Sequence, residues 1–187
     1  MIKEINSMSM NSSSMAFDKI IVIGCPGAGK STFARKLHDI TKIPLYYLDL
    51  IWHKSDRTTV SREEFDAKLE EIFKEEKWII DGNYQRTLER RIQACDTVFL
   101  LDFTLEQCLS GAMERVGKQR EEMPWTEETL DQKFRQYIID FPEIQLPLIY
   151  KLLEQYGDGR QIIIFKSRDE ADLYIDSLKI KQQEAKL

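Results

Sequence analysis

The chain reads as an α/β domain whose parallel sheet is covered by helices on both faces. Two observations carry that expectation. Five short apolar runs, at 19–23, 44–48, 77–81, 97–101 and 161–165, alternate with stretches patterned for helices, which predicts βαβ units. They are apolar throughout, as strands buried on both faces should be. The second observation is Gly24-Cys25-Pro26-Gly27-Ala28-Gly29-Lys30-Ser31. This G-x-x-x-x-G-K-S pattern lies between the first run and a helical pattern, the setting in which it cradles phosphate.

The first run, Lys19 to Ile23, is rich in β-branched residues and reads as a buried strand. From Thr32 to Ile40, Phe33, Leu37 and Ile40 are spaced for one helical face. Between them the glycines allow close backbone approaches that a Cβ would block. Consecutive N–H groups and the helix N-terminus then form an anion nest. Lys30 is expected to reach the β- and γ-phosphates of a bound nucleotide, and the Ser31 hydroxyl to ligate Mg2+. Gly24 to Thr32 thus form the expected cofactor-binding loop, with Cys25 inside it either a filler or a redox handle.

The second run ends in Leu48-Asp49, followed by Trp52, His53 and a polar connection from Lys54 to Val60. Ser61 and Glu64 then signal a helix start, and Phe65, Leu69, Ile72 and Phe73 share one face. Residues from about 50 to 76 therefore read as a helical flap. The third run ends at Asp81, followed by Gly82, Asn83, Tyr84, Gln85 and Arg86. An acid at a strand end suits a metal-associated carboxylate facing the phosphate site. The fourth run ends at Asp102, which is either a second metal-site acid or a structural residue before the capping pair Thr104 and Gln107.

A helical stripe from Leu105 to Val116 gives way to a polar stretch, Gly117 to Pro124, carrying Lys118 and Arg120. Residues from about 111 to 125 are expected to form a lid. Two helices are expected after it, at 127–141 and 143–156, punctuated by Pro142 and Pro147. The fifth run is followed by Lys166, Ser167 and Arg168, with Ser167 and Glu170 as a third capping pair. Residues 1–16 are expected as a disordered extension, or an over-long start with Met15 as initiator, and 181–187 as a frayed tail. The domain itself then spans 17–180.

Composition bounds the function. The net charge of −5 and pI of about 5.2 argue against a general nucleic-acid binder. Three widely spaced cysteines form no metal pattern and suit a reducing cytoplasm. No apolar run approaches a membrane span.

The chain resembles the adenylate kinase group of P-loop kinases. More narrowly, it resembles bacterial adenylate kinase-related proteins that carry the name topology modulation protein. The carriers are GCPGAGKSTFARKL at 24–37, YLDLIWHK at 47–54, WIIDGNYQRTLERRI at 78–92, EEMPW at 121–125 and FKSRDEADLY at 165–174. The resemblance implies a three-layer P-loop NTPase fold. Its five-stranded sheet runs in the order 2-3-1-4-5, and a flap and lid close over two substrates. It implies ATP and Mg2+ as cofactors, with Asp81 near the metal through water. Arg86 falls near an acceptor-phosphate arginine of the group, although Asn83-Tyr84-Gln85 is one residue longer than the group's Phe-Pro. Arg115 and Arg120 fit the lid arginines.

These readings lead to a kinase moving the γ-phosphoryl of Mg-ATP to a small acceptor. The catalytic set expected is Lys30, Asp49, Asp81, Arg115 and Arg120, with Arg115 also on the nucleotide. Acceptor contacts are expected from Asp49, Trp52, Arg62, Gly82, Tyr84 and Arg86. Ser31 and Asp81 form the metal site. Asp49 points to a hydroxyl acceptor, since a phosphate acceptor needs arginines and no base. Arg57, Arg62 and Arg86 point to a nucleotide. The acceptor expected is a nucleotide or nucleoside. The alternatives are a sugar or other alcohol with Asp49 as base, and a non-catalytic nucleotide sensor linked to DNA topology. The protein is expected as a monomer or homodimer.

Overall fold

The computed structural model describes residues 17–184. In chain order the elements are β1 (Lys19–Gly24), α1 (Lys30–Thr41), β2 (Leu45–Tyr47), α2 (Leu48–Trp52), α3 (Arg62–Phe73) and β3 (Trp78–Asp81). They continue as α4 (Gln85–Ala94), β4 (Thr97–Leu101), α5 (Leu105–Met113), α6 (Gln132–Tyr156), β5 (Gln161–Phe165) and α7 (Arg168–Glu184). The five strands form one parallel sheet in the order β2-β3-β1-β4-β5, the order the resemblance implies. The expected extension 1–16 lies outside the described residues, as do 185–187, while 181–184 are helical.

The apolar runs become strands because both faces of the sheet are covered. Helix α1 packs with α7, whereas α4 and α5 both pack with α6. The central residues Ile20, Ile21, Val22, Ile23, Ile79, Ile80, Val98, Phe99 and Leu100 are fully buried as a result. Phe99 also sits within a run of aromatic contacts with Phe17, Phe33, Phe165 and Tyr174. Strand β5 is an edge of the sheet, and four of its five residues remain half-buried.

One expectation is corrected. In place of two helices at 127–141 and 143–156, α6 is a single helix with Pro142 and Pro147 inside it. Proline removes one intrahelical donor but holds a helical φ. The burial of Ile138, Phe141, Ile149 and Leu153 along the same helix outweighs those two lost bonds. The capping pairs form as expected. Ser61 Oγ accepts from Glu64 N at 3.1 Å, Thr104 and Gln107 cap reciprocally, and Ser167 Oγ accepts from Glu170 N at 3.2 Å. Between α5 and α6, residues 114–131 form turns and bends without a helix or strand. Among the described residues no helix is long and apolar enough to cross a membrane.

Candidate functional site

The carboxyl ends of β1, β2 and β3 converge on the N-terminus of α1, the place where ligands bind in such sheets. The loop after β1 is shaped by close backbone approaches. A Cβ on Gly27, where φ is 86°, would stand 1.9 Å from the Cys108 carbonyl oxygen. One on Gly24 would stand 2.3 Å from the Leu101 carbonyl oxygen. The Cys25 carbonyl accepts from Ala28 N at 3.1 Å and from Lys30 Nζ at 3.1 Å, which closes the turn. Gly29, at φ 94°, occupies the N-cap of α1, and no side chain among the described residues caps the helix there. Its first N–H groups stay available to an anion. Lys30 is buried; desolvation pushes its pKa down while Asp81 pulls it back up. Pro26 is half-buried and Thr32 exposed.

Asp81 ends β3 and is buried. Ser31 Oγ donates to its Oδ2 at 2.6 Å. Its Oδ1 is buried with no partner among the described residues. Burial raises the Asp81 pKa to about 6, with Lys30 and Ser31 opposing the shift. An open carboxylate oxygen beside a hydroxyl fits Mg2+, which prefers oxygen ligands and keeps several waters. Among the described residues no cluster of three or more His, Cys, Asp or Glu side chains could hold a metal alone. Phosphate oxygens and water would complete the coordination of an ion at Ser31 and Asp81.

On the far side stands Asp49, in the first turn of α2. Tyr84 OH donates to its Oδ1 at 2.9 Å. Asp49 is close enough to Lys30 and Asp81 for its charge to act on both. Tyr84 is the left-handed N-cap of α4, at φ 32°. Burial and the Asp49 charge push its phenol pKa up. Trp52 stands edge-on to Phe65 at 5.4 Å, and Phe65 stacks on Tyr84 at 5.1 Å. Trp52 and Tyr84 thus share one aromatic cluster, with Phe65, that joins α2 and α3 to the end of β3.

Two residues missed by the sequence reading hold these parts together. The Asn83 side chain pairs with the Gly24 backbone, accepting from its N at 3.0 Å and donating to its carbonyl at 2.7 Å. That contact ties the end of β3 to the start of the loop. Arg91 on α4 is fully buried and donates to three consecutive carbonyls: Gly82 at 2.7 Å, Asn83, and Tyr84 at 3.1 Å. Burial pushes its pKa down to about 9. Gly82 itself, at φ 134°, lies against Leu48, 3.0 Å from where its Cβ would sit.

The remaining arginines fall into different settings. Arg86 makes a two-pronged pair with Asp66 at 2.6 and 2.9 Å, and Arg90 pairs with Glu70 and Asp66. Both clamp α4 to α3. Arg62 is exposed at the first position of α3. Arg120 pairs with Glu122 at 3.3 Å and Glu127 at 2.9 Å. Buried Glu122 also takes Arg35 of α1 at 3.0 Å, so the 114–131 segment is tied down onto α1. The 114–131 segment also meets the stretch after α2 where Trp125 stands edge-on to His53, 5.0 Å between ring centres. Arg115 is half-buried just past α5, and its charge acts on Lys30 and Cys25. Asp102 takes Lys166 at 2.5 Å and Tyr150 at 2.7 Å, tying α6 to the end of β5.

Arg91, Glu122 and Arg35 lie in the stretches that carry the resemblance, but no sequence signal gives their roles, because each acts through a partner set by the fold. Asn83 lies in the Trp78–Tyr84 stretch that carries the resemblance, and its pairing with Gly24 explains why that position matters.

No family model matches the chain. Adenylate kinases from Thermotoga petrophila and Thermotoga maritima are each 31% identical to it over 85 residues, 44% of this chain. The chain spans 38% of the length of these curated relatives. Among solved structures, a shikimate kinase from Acinetobacter baumannii in complex with shikimate aligns with a TM-score of 0.58 at 16% identity. It covers 92% of this chain and 96% of its own. A shikimate kinase from Bacteroides thetaiotaomicron aligns with a TM-score of 0.54 at 18% identity, covering 92% and 100%. With the strand order and the loop geometry, these likenesses show that the chain has the P-loop kinase fold.

Proposed function

We propose that the chain is a Mg-ATP-dependent phosphotransferase whose acceptor presents a hydroxyl group. The observation that carries this reading is two carboxylates whose charges act on Lys30: Asp81 at the end of β3 and Asp49 in the first turn of α2. Asp81 is bonded by Ser31 and Asp49 by Tyr84, each leaving one oxygen for other work. Asp81 and Ser31 face the nucleotide side, and Asp49 faces the acceptor side.

In this reading the loop N–H groups and Lys30 hold the triphosphate. A bound Mg2+ would neutralise charge on the phosphate oxygens. Asp49 takes the proton from the acceptor hydroxyl as its oxygen attacks the γ-phosphorus, and the bond to the β-phosphate oxygen breaks, releasing ADP. Arg115, whose charge acts on Lys30, would offset negative charge on the transferring group. Phosphoryl transfer is mostly positioning and charge stabilisation, so no covalent intermediate is needed.

A nucleotide acceptor is less well supported. Arg86 and Arg90 already pair with flap carboxylates, Arg35 and Arg120 with Glu122, and Arg91 with carbonyls. The alcohol acceptor, an alternative in the sequence reading, therefore becomes the leading one. A labelled-ATP screen over sugars, other alcohols, nucleosides and nucleoside monophosphates tests it. Transfer to a hydroxyl compound is expected. Transfer confined to phosphate acceptors, or ATP binding with no transfer to any acceptor, overturns the reading.

A further inference from the structure

The phosphate-binding loop rests directly on α5. The Cys108 carbonyl stands where a Cβ on Gly27 would be, and the Gly27 carbonyl stands 2.2 Å from where a Cβ on Gly111 would be. At this contact the thiols of Cys25 and Cys108 are near enough for each to act on the other's ionisation, and the Cys108 thiol donates to the Phe103 carbonyl at 3.9 Å. Both are free thiols, and both line one cavity of about 330 Å3 with Leu101, Phe103, Phe141 and Leu146. The phosphotransfer reading uses neither sulfur.

We propose that Cys25 and Cys108 form a reversible disulfide, made by a peroxide, that switches off nucleotide binding by the loop. The cavity offers a small oxidant access to sulfurs that are otherwise covered. Cys108 serves as the nucleophile: the neighbouring Cys25 thiol lowers its pKa, and Lys30 and Arg115 add positive potential at its sulfur. The neighbouring Cys108 thiol and burial hold Cys25 protonated. The Cys108 thiolate attacks one peroxide oxygen. An S–O bond forms, the O–O bond breaks, and the departing hydroxide takes up a proton as water. The Cys25 sulfur then attacks the sulfenic sulfur. The S–S bond forms, the S–O bond breaks, and a second water leaves with the Cys25 proton. Two thiols lose two electrons, and one hydrogen peroxide becomes two waters.

The bond acts on the loop rather than on the helix. An S–S bond is about 2.0 Å long, shorter than any non-bonded sulfur–sulfur contact, so one partner must move. Cys108 lies in a helix held by the reciprocal Thr104–Gln107 cap, and its own N–H bonds Thr104 O at 3.1 Å. Cys25 lies in the loop, and its carbonyl holds both Ala28 N and Lys30 Nζ. Drawing Cys25 toward α5 pulls that carbonyl away from Lys30 and distorts the nest.

The inference rests on the nucleotide reading only through its binding readout. The reduced full chain is treated with hydrogen peroxide, digested without reductant and mapped by mass spectrometry, with Mg-ATP affinity measured before and after. Expected are a Cys25–Cys108 peptide, Cys95 left as a thiol, and an affinity loss of about tenfold or more that dithiothreitol reverses. Cys108→Ser should keep its Mg-ATP affinity through the same treatment. Absence of the linked peptide, or a linked peptide with unchanged affinity, overturns the switch alone. So does an equal affinity loss in Cys108→Ser. A reduced chain that does not bind Mg-ATP overturns the nucleotide reading and the switch together.

Discussion

Ser31 Oγ donates to one oxygen of the Asp81 carboxylate at 2.6 Å, while the other oxygen of the same carboxylate is buried with no partner among the described residues. A carboxylate held half-satisfied in this way is costly to ionise and ready for a cation. Its pKa is raised from 3.8 to about 6, mainly by burial. The folded state therefore binds the proton more tightly than the unfolded state. Without metal or nucleotide, stability is highest below about pH 4 for this group and falls as pH rises toward 6, by about 3 kcal/mol in all. Denaturant titrations across pH 4 to 7 should show that slope, and Asp81→Asn should remove it. Mg-ATP binding at pH 6 should release a proton, read by calorimetry in two buffers of different ionisation enthalpy. Asp81→Asn should not release one.

Asp49→Asn separates chemistry from binding. It removes the base while keeping an oxygen for the Tyr84 hydroxyl. Turnover should fall about 100-fold or more, with Mg-ATP affinity unchanged. Tyr84→Phe should cost less, since it frees the carboxylate to turn without removing it. Unchanged turnover in Asp49→Asn would take this residue out of the chemistry.

Arg91 carries three backbone carbonyls at the end of β3. Arg91→Met leaves those acceptors buried and unpaired, at a cost of about 3 kcal/mol in urea unfolding. Arg91→Lys keeps one charge but has no planar fork, and should recover only part of the loss. A variant with parental stability would mean that water replaces the guanidinium.

Gly111 lies outside the phosphate-binding motif, yet Gly111→Ala should disable it. The new methyl meets the Gly27 carbonyl oxygen at 2.2 Å, so the loop must lift off α5. A shift near 1 Å is expected to cost about 100-fold in turnover, with the fold retained by circular dichroism. Ser110→Ala, one residue earlier and exposed, serves as the control.

Glu122 joins Arg35 of α1 to Arg120 of the lid. Glu122→Ala should loosen residues 114–131 and speed protease cleavage there without changing the melting temperature much. Equal cleavage rates would show that contacts other than Glu122, such as His53–Trp125 and Arg120–Glu127, secure the segment.

Much of this architecture was legible in the sequence, and the reasons differ by element. The strands were visible because a sheet buried on both faces needs unbroken apolar runs, so β4 and β5 match their runs residue for residue. The start of α1 was read two residues late, since Lys30 and Ser31 carry no apolar signal. Helix α6 was split in two because local propensity weighs Pro142 and Pro147 but not the core that Ile138, Phe141 and Ile149 enter. In the site, the loop was legible because its chemistry is contained in consecutive residues. Asn83 meets Gly24 across 59 positions and Glu122 meets Arg35 across 87. Such contacts leave no local pattern, because the fold alone brings the partners together. The pairing of Arg86 with Asp66 was invisible for the same reason.

Strand β5 has a bearing on how the protein behaves in a test tube. Its sequence, Gln161 to Phe165, is four apolar residues after one amide, and it sits at the rim of the sheet. An exposed rim of this kind can recruit a strand from another copy. Two cations bracket it. The Arg160 guanidinium is pinned to the Ile92, Gln93 and Asp158 carbonyls, and Lys166 is held by Asp102. Natural chains place charges beside such strands as gatekeepers against clumping. Replacing either cation with a neutral residue would therefore show first as turbidity on concentration or storage, before any loss of turnover.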